Sequence, residues 1–310
     1  MAQPVYFLVL PGVMALDLTG PAETLQLADG HFALHYIGPQ PTVRCSTGMT
    51  LADIAPLPDQ LPDDSLLVVP GVYDSKVWFD TEPAAAAREW LRLQQTAIQS
   101  KRITLVCICS GALLSAQAGL LNGVQCTTHH DVLPRLKAAA PAALVKDNRV
   151  FVEDHGIWTS AGITAGIDLA LHLINRLCGA QQALKVAREM VVWFRRSGDD
   201  PQLSPWLRYR NHLHPAIHRA QDVMIAHPEN DWSLTVLAER AHVSERHLTR
   251  LFRQHLGISV REYHEQLRLV IARQRQQQGE AAEKAALAAG FSSARQLRRA
   301  HQRWDDQLTR

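Results

Sequence analysis

Strand-like apolar runs alternate with helix-length amphipathic stretches along the first 190 residues. The strand-like runs lie at 5–10, 32–38, 65–71 and 103–109. Apolar residues at helical spacing mark 20–28, 83–100, a stretch from about 111, and 165–177. Strands that alternate with helices predict an α/β fold, in which helices cover both faces of a parallel sheet.

The pattern changes near residue 195. Residues 196–214 are rich in Gly, Asp and Pro, which predicts a linker. From 215 to 310 no strand-like run appears, and Ala, Leu, Arg and Gln recur at helical spacing. We therefore expect an α/β domain over 1–195, a linker over 196–214 and an all-α domain over 215–310.

Charge separates the two parts of the chain. The 310 residues carry a formal net charge of only +2. Residues 211–310 hold 15 Lys/Arg and 11 Asp/Glu, whereas residues 1–210 hold 17 and 19. This asymmetry favours an anionic partner for the C-terminal part.

The remaining composition indicates a cytoplasmic protein. The opening "MAQPVYFLVLPG" lacks a basic n-region, so we expect no secretory signal. No run reaches the roughly 18 apolar residues of a membrane helix, so we expect no membrane partner. Five scattered cysteines indicate reduced thiols, and their spacing to histidines favours neither a metal nor a cofactor.

The stretch "LVCICSGALLSAQAGLL" (105–121) places Cys109 at the end of a strand and directly before a helix. Ligands of open parallel sheets bind beyond the carboxyl ends of the strands. Ser110 and the small residues after it suit a sharp nucleophile elbow, and the helix N-terminus would favour a thiolate. Cys109 is therefore a candidate nucleophile, although a free cysteine is also a common small core residue.

Four motifs carry a family resemblance: "ICSGALLSAQAGLLNG", "TTHHDVLPRL", "WTSAGITAGIDLALHLI" and "MVVWFRRSG". They resemble the class I glutamine-amidotransferase-like domain of the PfpI and isocyanide-hydratase superfamily, in the GlxA-like branch that is fused to AraC-type domains. The resemblance implies a flavodoxin-like sandwich. It also implies a ligand site, or a catalytic site if activity is retained, built from the following residues: Cys109, Asp17 in "ALDLTGPAE", Gly71 in "VVPG", Ser110 and His129. The sequence departs from the family at Val72 and Cys107, where glycines are usual.

The stretch "SLTVLAERAHVSERHLTRLFRQHLGISVREY" (233–263) predicts two capped helices joined by a tight turn. Ser233 and Ser244 are the expected N-caps, and His242 suits a left-handed turn. The second helix places four basic residues mainly on its outward side: Arg246, His247, Arg250 and Arg253. Such a face fits the major groove of DNA, or is simply a solvated charged surface.

This stretch resembles the first helix-turn-helix of AraC-family regulators, and "LAAGFSSARQLRRAHQRW" (287–304) resembles the second. The second helix-turn-helix would read DNA with Arg295, Gln296 and Arg299. Arg275 and Gln276 stand where relatives usually have a pair of leucines, and His301 and Trp304 stand where relatives usually have a pair of phenylalanines. We expect this second helix-turn-helix to be less stable and to contact mostly phosphates.

Together these observations predict a sequence-specific DNA-binding transcriptional regulator. Its amidotransferase-like domain would bind a small-molecule effector and pair two chains, and its partners would be promoter DNA and RNA polymerase. The alternative is a cysteine-dependent hydratase or hydrolase that uses Cys109 and Asp17. A third possibility combines them, with Cys109 reacting covalently or oxidising as a switch.

Overall fold

The computed structural model describes residues 2–192, 196–198, 202, 209, 212, 214–277 and 279–308. The chain divides into two units, Met1–Gln202 and Leu203–Arg310. The domain limits expected from the sequence stay a prediction, since much of the segment 196–214 lies outside the described residues. Each unit is considered separately below.

Six strands form the main sheet of the first unit. They are β1 (Gln3–Leu8), β2 (Phe32–Ile37), β5 (Ser65–Val69), β6 (Ile103–Ile108), β9 (Phe151–Asp154) and β10 (Ile157–Ser160). Their order is β2-β1-β5-β6-β10-β9, and every pair is parallel except β10–β9. Two small sheets pair β3 (Val43–Arg44) with β4 (Thr50–Leu51) and β7 (Gln125–Cys126) with β8 (Leu144–Val145).

Helices cover both faces of this sheet. They are α1 (Ala15–Gln26), α2 (Ser75–Trp78), α3 (Glu82–Leu93), α4 (Gln95–Gln99), α5 (Gly111–Gln117), α6 (Leu133–Ala139), α7 (Thr164–Cys178) and α8 (Ala180–Glu189). One apolar cluster joins the sheet to α1, α7 and α8, and the other joins it to α3, α4, α5 and α6. The expected flavodoxin-like sandwich is confirmed.

Three local expectations differ from the structure. Helix α1 begins at Ala15, not at 20, and holds Pro21 in its interior, because packing against α7 outweighs the local cost of proline. The helix expected over 83–100 is divided into α3 and α4. The hairpin β9–β10 was not predicted, because its four-residue strands are too short to show a period.

Helices are the only regular secondary structure among the described residues of the second unit. Its helices are α9 (Pro215–Ala226), α10 (Leu234–Ala241), α11 (Glu245–Leu256), α12 (Val260–Gln277), α13 (Ala282–Ala288) and α14 (Ala294–Leu308). Helices α10 and α11 form the first helix-turn-helix, and α13 and α14 form the second. In no described part of either unit is a helix both long and apolar enough to span a bilayer.

The local chemistry of the first helix-turn-helix is as expected. The Ser233 hydroxyl accepts a hydrogen bond from the amide of Val236, and the Ser244 hydroxyl accepts one from the amide of His247. His242 takes the left-handed conformation with φ 55° and ψ 46°. Both N-caps and the turn are therefore confirmed.

The two helix-turn-helix units have unequal cores. The cluster of the first contains fourteen buried residues, among them Tyr263, Phe252 and Met224. The cluster of the second contains seven, of which four are alanines, among the described residues. The side chain of Arg275 pairs with Glu280 instead of joining that core.

Candidate functional site

Cys109 occupies the corner between β6 and α5. Its φ of 55° is unusual for a residue with a Cβ, and such strain is common at functional corners. The Cys109 amide donates to the carbonyl of Ser160 at 3.0 Å, and the hydroxyl of Thr128 donates to the Cys109 carbonyl at 2.6 Å. Both backbone groups of the strained residue are thus held by neighbouring segments.

Two glycines allow other segments to approach this corner closely. A Cβ on Gly71 would lie 2.6 Å from Oδ2 of Asp17 and 2.8 Å from Cβ of Cys109. A Cβ on Gly162 would lie 2.9 Å from Sγ of Cys109. Any side chain at either position would collide with the corner, so the glycines are required by packing.

Asp17 lies beside the corner in the first turn of α1 and is fully buried. Its Oδ1 accepts a hydrogen bond from the amide of Ile163 at 2.5 Å. Oδ2 has no well-formed partner among the described residues, although the Cys109 thiol and the Gly71 amide lie close by. Burial raises the pKa of Asp17 to about 6, and these neighbouring donors oppose the rise.

The chemistry of the Cys109 thiol differs from the sequence expectation. Only 7% of the residue is exposed, and its burial raises its pKa well above the usual value. The nearby charge of Asp17 raises the pKa further, while the Ser110 amide opposes it. The expected thiolate is therefore wrong for the resting protein, since burial and a carboxylate outweigh the helix N-terminus.

The family departures at Val72 and Cys107 do not cover Cys109. Both side chains lie in the apolar cluster on the other face of the sheet. The Cys107 thiol donates to the hydroxyl of Ser115, and burial raises its pKa to about 12. The hydroxyl of Ser110 accepts from the Val72 amide at 2.9 Å, so this predicted ligand residue ties α5 to the loop after β5.

His129 follows Thr128 and lies next to His130 and Asp131. Its Nδ1 accepts a weak hydrogen bond from the Asp131 amide at 3.4 Å. Burial and the adjacent His130 lower the pKa of His129, which keeps its imidazole neutral. One ligand atom from each of these three residues lies within 4.8 Å of the others, so they could hold a metal ion.

The predicted DNA-contacting residues of α11 lie on its outer face. Arg246, Arg250 and Arg253 are exposed, and His247 is half-buried. The inner face buries Leu248, Leu251 and Phe252. Arg253 also forms an ion pair with Glu262 at 3.2 Å, so part of its charge is neutralised within the unit.

Helix α14 presents Arg295, Gln296 and Arg299 to solvent. The side-chain oxygen of Gln296 accepts hydrogen bonds from the Ser292 amide at 2.6 Å and from its hydroxyl at 3.0 Å. Gln296 therefore stabilises the start of its own helix and has only its amide nitrogen left for DNA. Both basic faces exist in the structure, and their contact with DNA stays a prediction.

Several residues of the corner were missed by the sequence analysis. Gly162 and Ile163 lie in the quoted motif "WTSAGIT", but nothing in one sequence indicated their closeness to Cys109 and Asp17. Thr128 was not distinguished from His129. Gln202, in the predicted linker, is buried against Thr128.

Comparison with known proteins agrees with this architecture. Residues 3–176 match the DJ-1/PfpI family, and residues 237–306 match a helix-turn-helix domain. The chain is 31% identical over 303 residues to the HTH-type transcriptional regulator CdhR of Pseudomonas aeruginosa, an alignment that covers 94% of this chain and 86% of CdhR.

Two further relatives match about 60% of the chain. The chain is 36% identical over 183 residues to the HTH-type transcriptional regulator GbdR of Pseudomonas aeruginosa, covering 59% of this chain and 49%, about half, of GbdR. It is 37% identical over 194 residues to an isonitrile hydratase of Pseudomonas putida, covering 61% of this chain and 78% of that protein. The crystal structure of a ThiJ/PfpI family protein from Pseudomonas syringae shares the fold, with a TM-score of 0.53 and 21% sequence identity. The superposition covers 78% of this chain and 89% of that protein.

The class of the protein follows from these matches: a DJ-1/PfpI domain joined to a C-terminal AraC-type helix-turn-helix domain. The chain belongs to the DJ-1/PfpI family. Its relatives that are named HTH-type transcriptional regulators include CdhR and the GlxA of Rhizobium meliloti, to which it is 33% identical over 221 residues.

Proposed function

We propose that the protein is a transcriptional regulator that binds promoter DNA through its second unit and a small-molecule effector at the Cys109 corner. It would act in the cytoplasm as a homodimer, with RNA polymerase as its partner at the promoter. The observation that carries the proposal is the capped first helix-turn-helix, whose α11 buries an apolar face and exposes Arg246 and Arg250. This is the arrangement that a major-groove reading helix requires.

The DNA proposal is tested on the full chain with DNA fragments selected from a genomic library by the protein itself. Arg250→Ala should weaken binding to the selected fragment by about 1–3 kcal/mol if Arg250 reads a base edge. Arg92→Ala, an exposed arginine of α3, is the matched control and should leave the affinity unchanged. Equal affinity of wild type and Arg250→Ala at physiological salt would reject this role for Arg250.

The effector proposal rests on the buried polar groups around Cys109. Asp17 keeps one carboxylate oxygen without a well-formed partner among the described residues, and Gly71 and Gly162 keep side chains out of the corner. A molecule that binds here alters transcription only if it favours one state of the regulator over another. Small-molecule libraries can be screened by thermal shift, with Asp17→Asn as the variant that should lose the response.

The second candidate function is a cysteine-dependent hydratase or hydrolase. It is favoured by the adjacent Asp17 and Cys109 and by the similarity to an isonitrile hydratase. A carboxyl group with a pKa of about 6 is mostly ionised at neutral pH and can accept the thiol proton when Cys109 attacks. Consumption of an isonitrile by wild type but not by Cys109→Ala, followed by mass spectrometry, would establish this activity.

A further inference from the structure

The first residues of the predicted linker are anchored inside the first unit. Arg196 lies against Asp168 of α7, whose side chain is only 6% exposed. The Arg196 guanidinium donates to Oδ2 of Asp168 from Nε at 2.8 Å and from Nη2 at 2.6 Å, and the Arg196 amide donates to Oδ1 at 3.0 Å. Nη2 also reaches the hydroxyl of Thr164 at 2.8 Å. Charge-assisted hydrogen bonds to a buried carboxylate fix the position of the chain here.

Gln202 forms a second anchor, six residues further along. It is 7% exposed, which is rare for a residue in a polar linker. Its side-chain nitrogen donates to the carbonyl of Thr128 at 2.7 Å and lies 3.4 Å from the hydroxyl of Thr127. Its side-chain oxygen is buried and has no hydrogen-bond partner among the described residues.

Each anchor leads to a different side of the Cys109 corner. Thr128, which Gln202 holds through its carbonyl, donates its hydroxyl to the Cys109 carbonyl at 2.6 Å. Thr164, which Arg196 holds, is the first residue of α7 and directly follows Ile163, whose amide binds Asp17. The chain that leaves the first unit is thus bonded to two segments, one that contacts Cys109 and one that contacts Asp17.

We propose that Arg196 and Gln202 are positioning residues of the effector site and form a latch between the Cys109 corner and the linker. A molecule that occupies the corner displaces Thr128 or Ile163, which loosens or tightens the latch and so changes how the linker presents the DNA-binding unit. By linkage, the latch must in turn affect access to the corner. The latch rests on the proposed function for its biological meaning, but its effect on Cys109 can be measured independently.

The first measurement is the rate at which iodoacetamide alkylates Cys109 in the full chain, read by mass spectrometry of the peptide that contains it. In this reaction the thiolate sulfur bonds to the reagent carbon, iodide leaves and the buffer takes the thiol proton. Gln202→Ala should raise the rate by about 2- to 10-fold, the factor that corresponds to one lost hydrogen bond. Gln182→Ala, which removes an exposed hydrogen bond to Asp29, is the matched control and should leave the rate unchanged.

Arg196 is tested with a conservative variant, because Arg196→Ala would remove the positive charge beside the buried Asp168 carboxylate. Arg196→Lys keeps the charge but loses the fork, and should also accelerate alkylation. If both Gln202→Ala and Arg196→Lys alkylate at the wild-type rate, the latch does not hold the corner and the proposal is overturned.

The second measurement is DNA affinity before and after alkylation of Cys109, with the self-selected DNA fragment. Alkylation should change the affinity of wild type by at least about 3-fold and should change that of Gln202→Ala much less, because the signal passes through the latch. Equal changes in the two proteins would overturn the latch while leaving DNA binding intact. Failure of unmodified wild type to bind any DNA specifically would overturn the proposed function alone, and the alkylation rates would still decide the latch.

Discussion

At the scale of single residues, the Cys109 corner combines backbone strain with raised pKa values of its thiol and of the neighbouring Asp17 carboxyl. Cys109 has a positive φ, and so does Ile163, a β-branched residue for which this is rare. Burial raises the pKa of both Cys109 and Asp17, so the resting site favours a neutral thiol and a weakly acidic carboxyl. A neutral thiol is a weaker nucleophile than a thiolate.

The raised pKa of Asp17 makes folding stability depend on pH. The unfolded chain titrates this group at 3.8 and the folded protein at about 6, so the folded state binds the extra proton between these values. Stability should therefore fall as pH rises through this window and remain lower above it. Asp17→Asn removes the buried charge and should stabilise the protein at about pH 7.5 by up to about 3 kcal/mol.

The same variant should gain much less at about pH 4, where Asp17 of the wild type is mostly protonated in the folded state. Thermal melts of both proteins across the pH range would measure the difference. A constant difference between them at every pH would show that the Asp17 carboxyl is not responsible.

The raised pKa of Cys109 predicts slow alkylation. At about pH 7.5 iodoacetamide should label Cys109 more slowly than a free cysteine in a peptide, because the thiolate is the reactive form. Asp17→Asn should accelerate the labelling, since the carboxylate charge that opposes the thiolate is removed. Preferential labelling of Cys109 over the other four cysteines at neutral pH would contradict this.

At the scale of elements, short polar signals define the first helix-turn-helix. Ser233 and Ser244 cap their helices, and His242 and Gly257 end them in the left-handed conformation. The second helix-turn-helix has Gln296, which accepts a hydrogen bond from the Ser292 amide before its last helix, and an alanine-rich core. From these local differences we expect the second helix-turn-helix to be less stable than the first.

Ser244→Ala should destabilise the first helix-turn-helix by about 1 kcal/mol, because the amide of His247 loses its acceptor. DNA affinity should fall with it, since α11 begins at this cap. Ser244→Asp is the matched control, because its carboxylate can accept the same hydrogen bond. Chemical denaturation and fluorescence anisotropy measure the two effects, and equal losses in both variants would exclude the cap as the cause.

The smaller second core predicts faster local opening. Amides of α13 and of 294–300 in α14 should exchange hydrogen faster than those of α10 and α11, because fewer buried apolar groups must be exposed to open them. Hydrogen-exchange mass spectrometry of the free protein tests this. Equal protection of the two helix-turn-helix units would contradict the expected difference in stability.

At the scale of the whole molecule, the protein consists of two units with separate apolar clusters. The clusters of the first unit contain only residues before 203, and those of the second contain only residues after it, among the described residues. The first unit carries the strained corner and the latch, and the second carries the basic faces. The division places proposed sensing and DNA binding in structures that can be separated experimentally.

Removal of residues 215–310 should abolish DNA binding and leave the first unit folded. Its core is complete without them, so it should still unfold in one cooperative transition and retain slow alkylation of Cys109. Circular dichroism melts and anisotropy on the self-selected DNA measure both properties. Residual specific binding by this fragment would place the DNA-binding surface in the first unit.

The sequence by itself determined the two classes of domain, because periodicity, capping serines and small residues after Cys109 are local properties. The identities of neighbouring residues were enough to predict three kinds of feature. These are the strands over 32–38, 65–71 and 103–109, the caps at Ser233 and Ser244, and the outward arginines of α11. The four quoted motifs were enough to identify the family, and the separate stretch "ALDLTGPAE" named Asp17 beside Cys109.

Only the tertiary structure decided how distant segments meet. Gly71 and Gly162 approach Cys109, and Gln202 is anchored on Thr128. Each of these contacts joins residues more than thirty positions apart. The pKa of Cys109 likewise depends mainly on burial and on a carboxylate 92 residues earlier in the chain, which outweigh the opposing Ser110 amide. Burial and electrostatic interaction act through space, and a pattern read along the chain does not contain them.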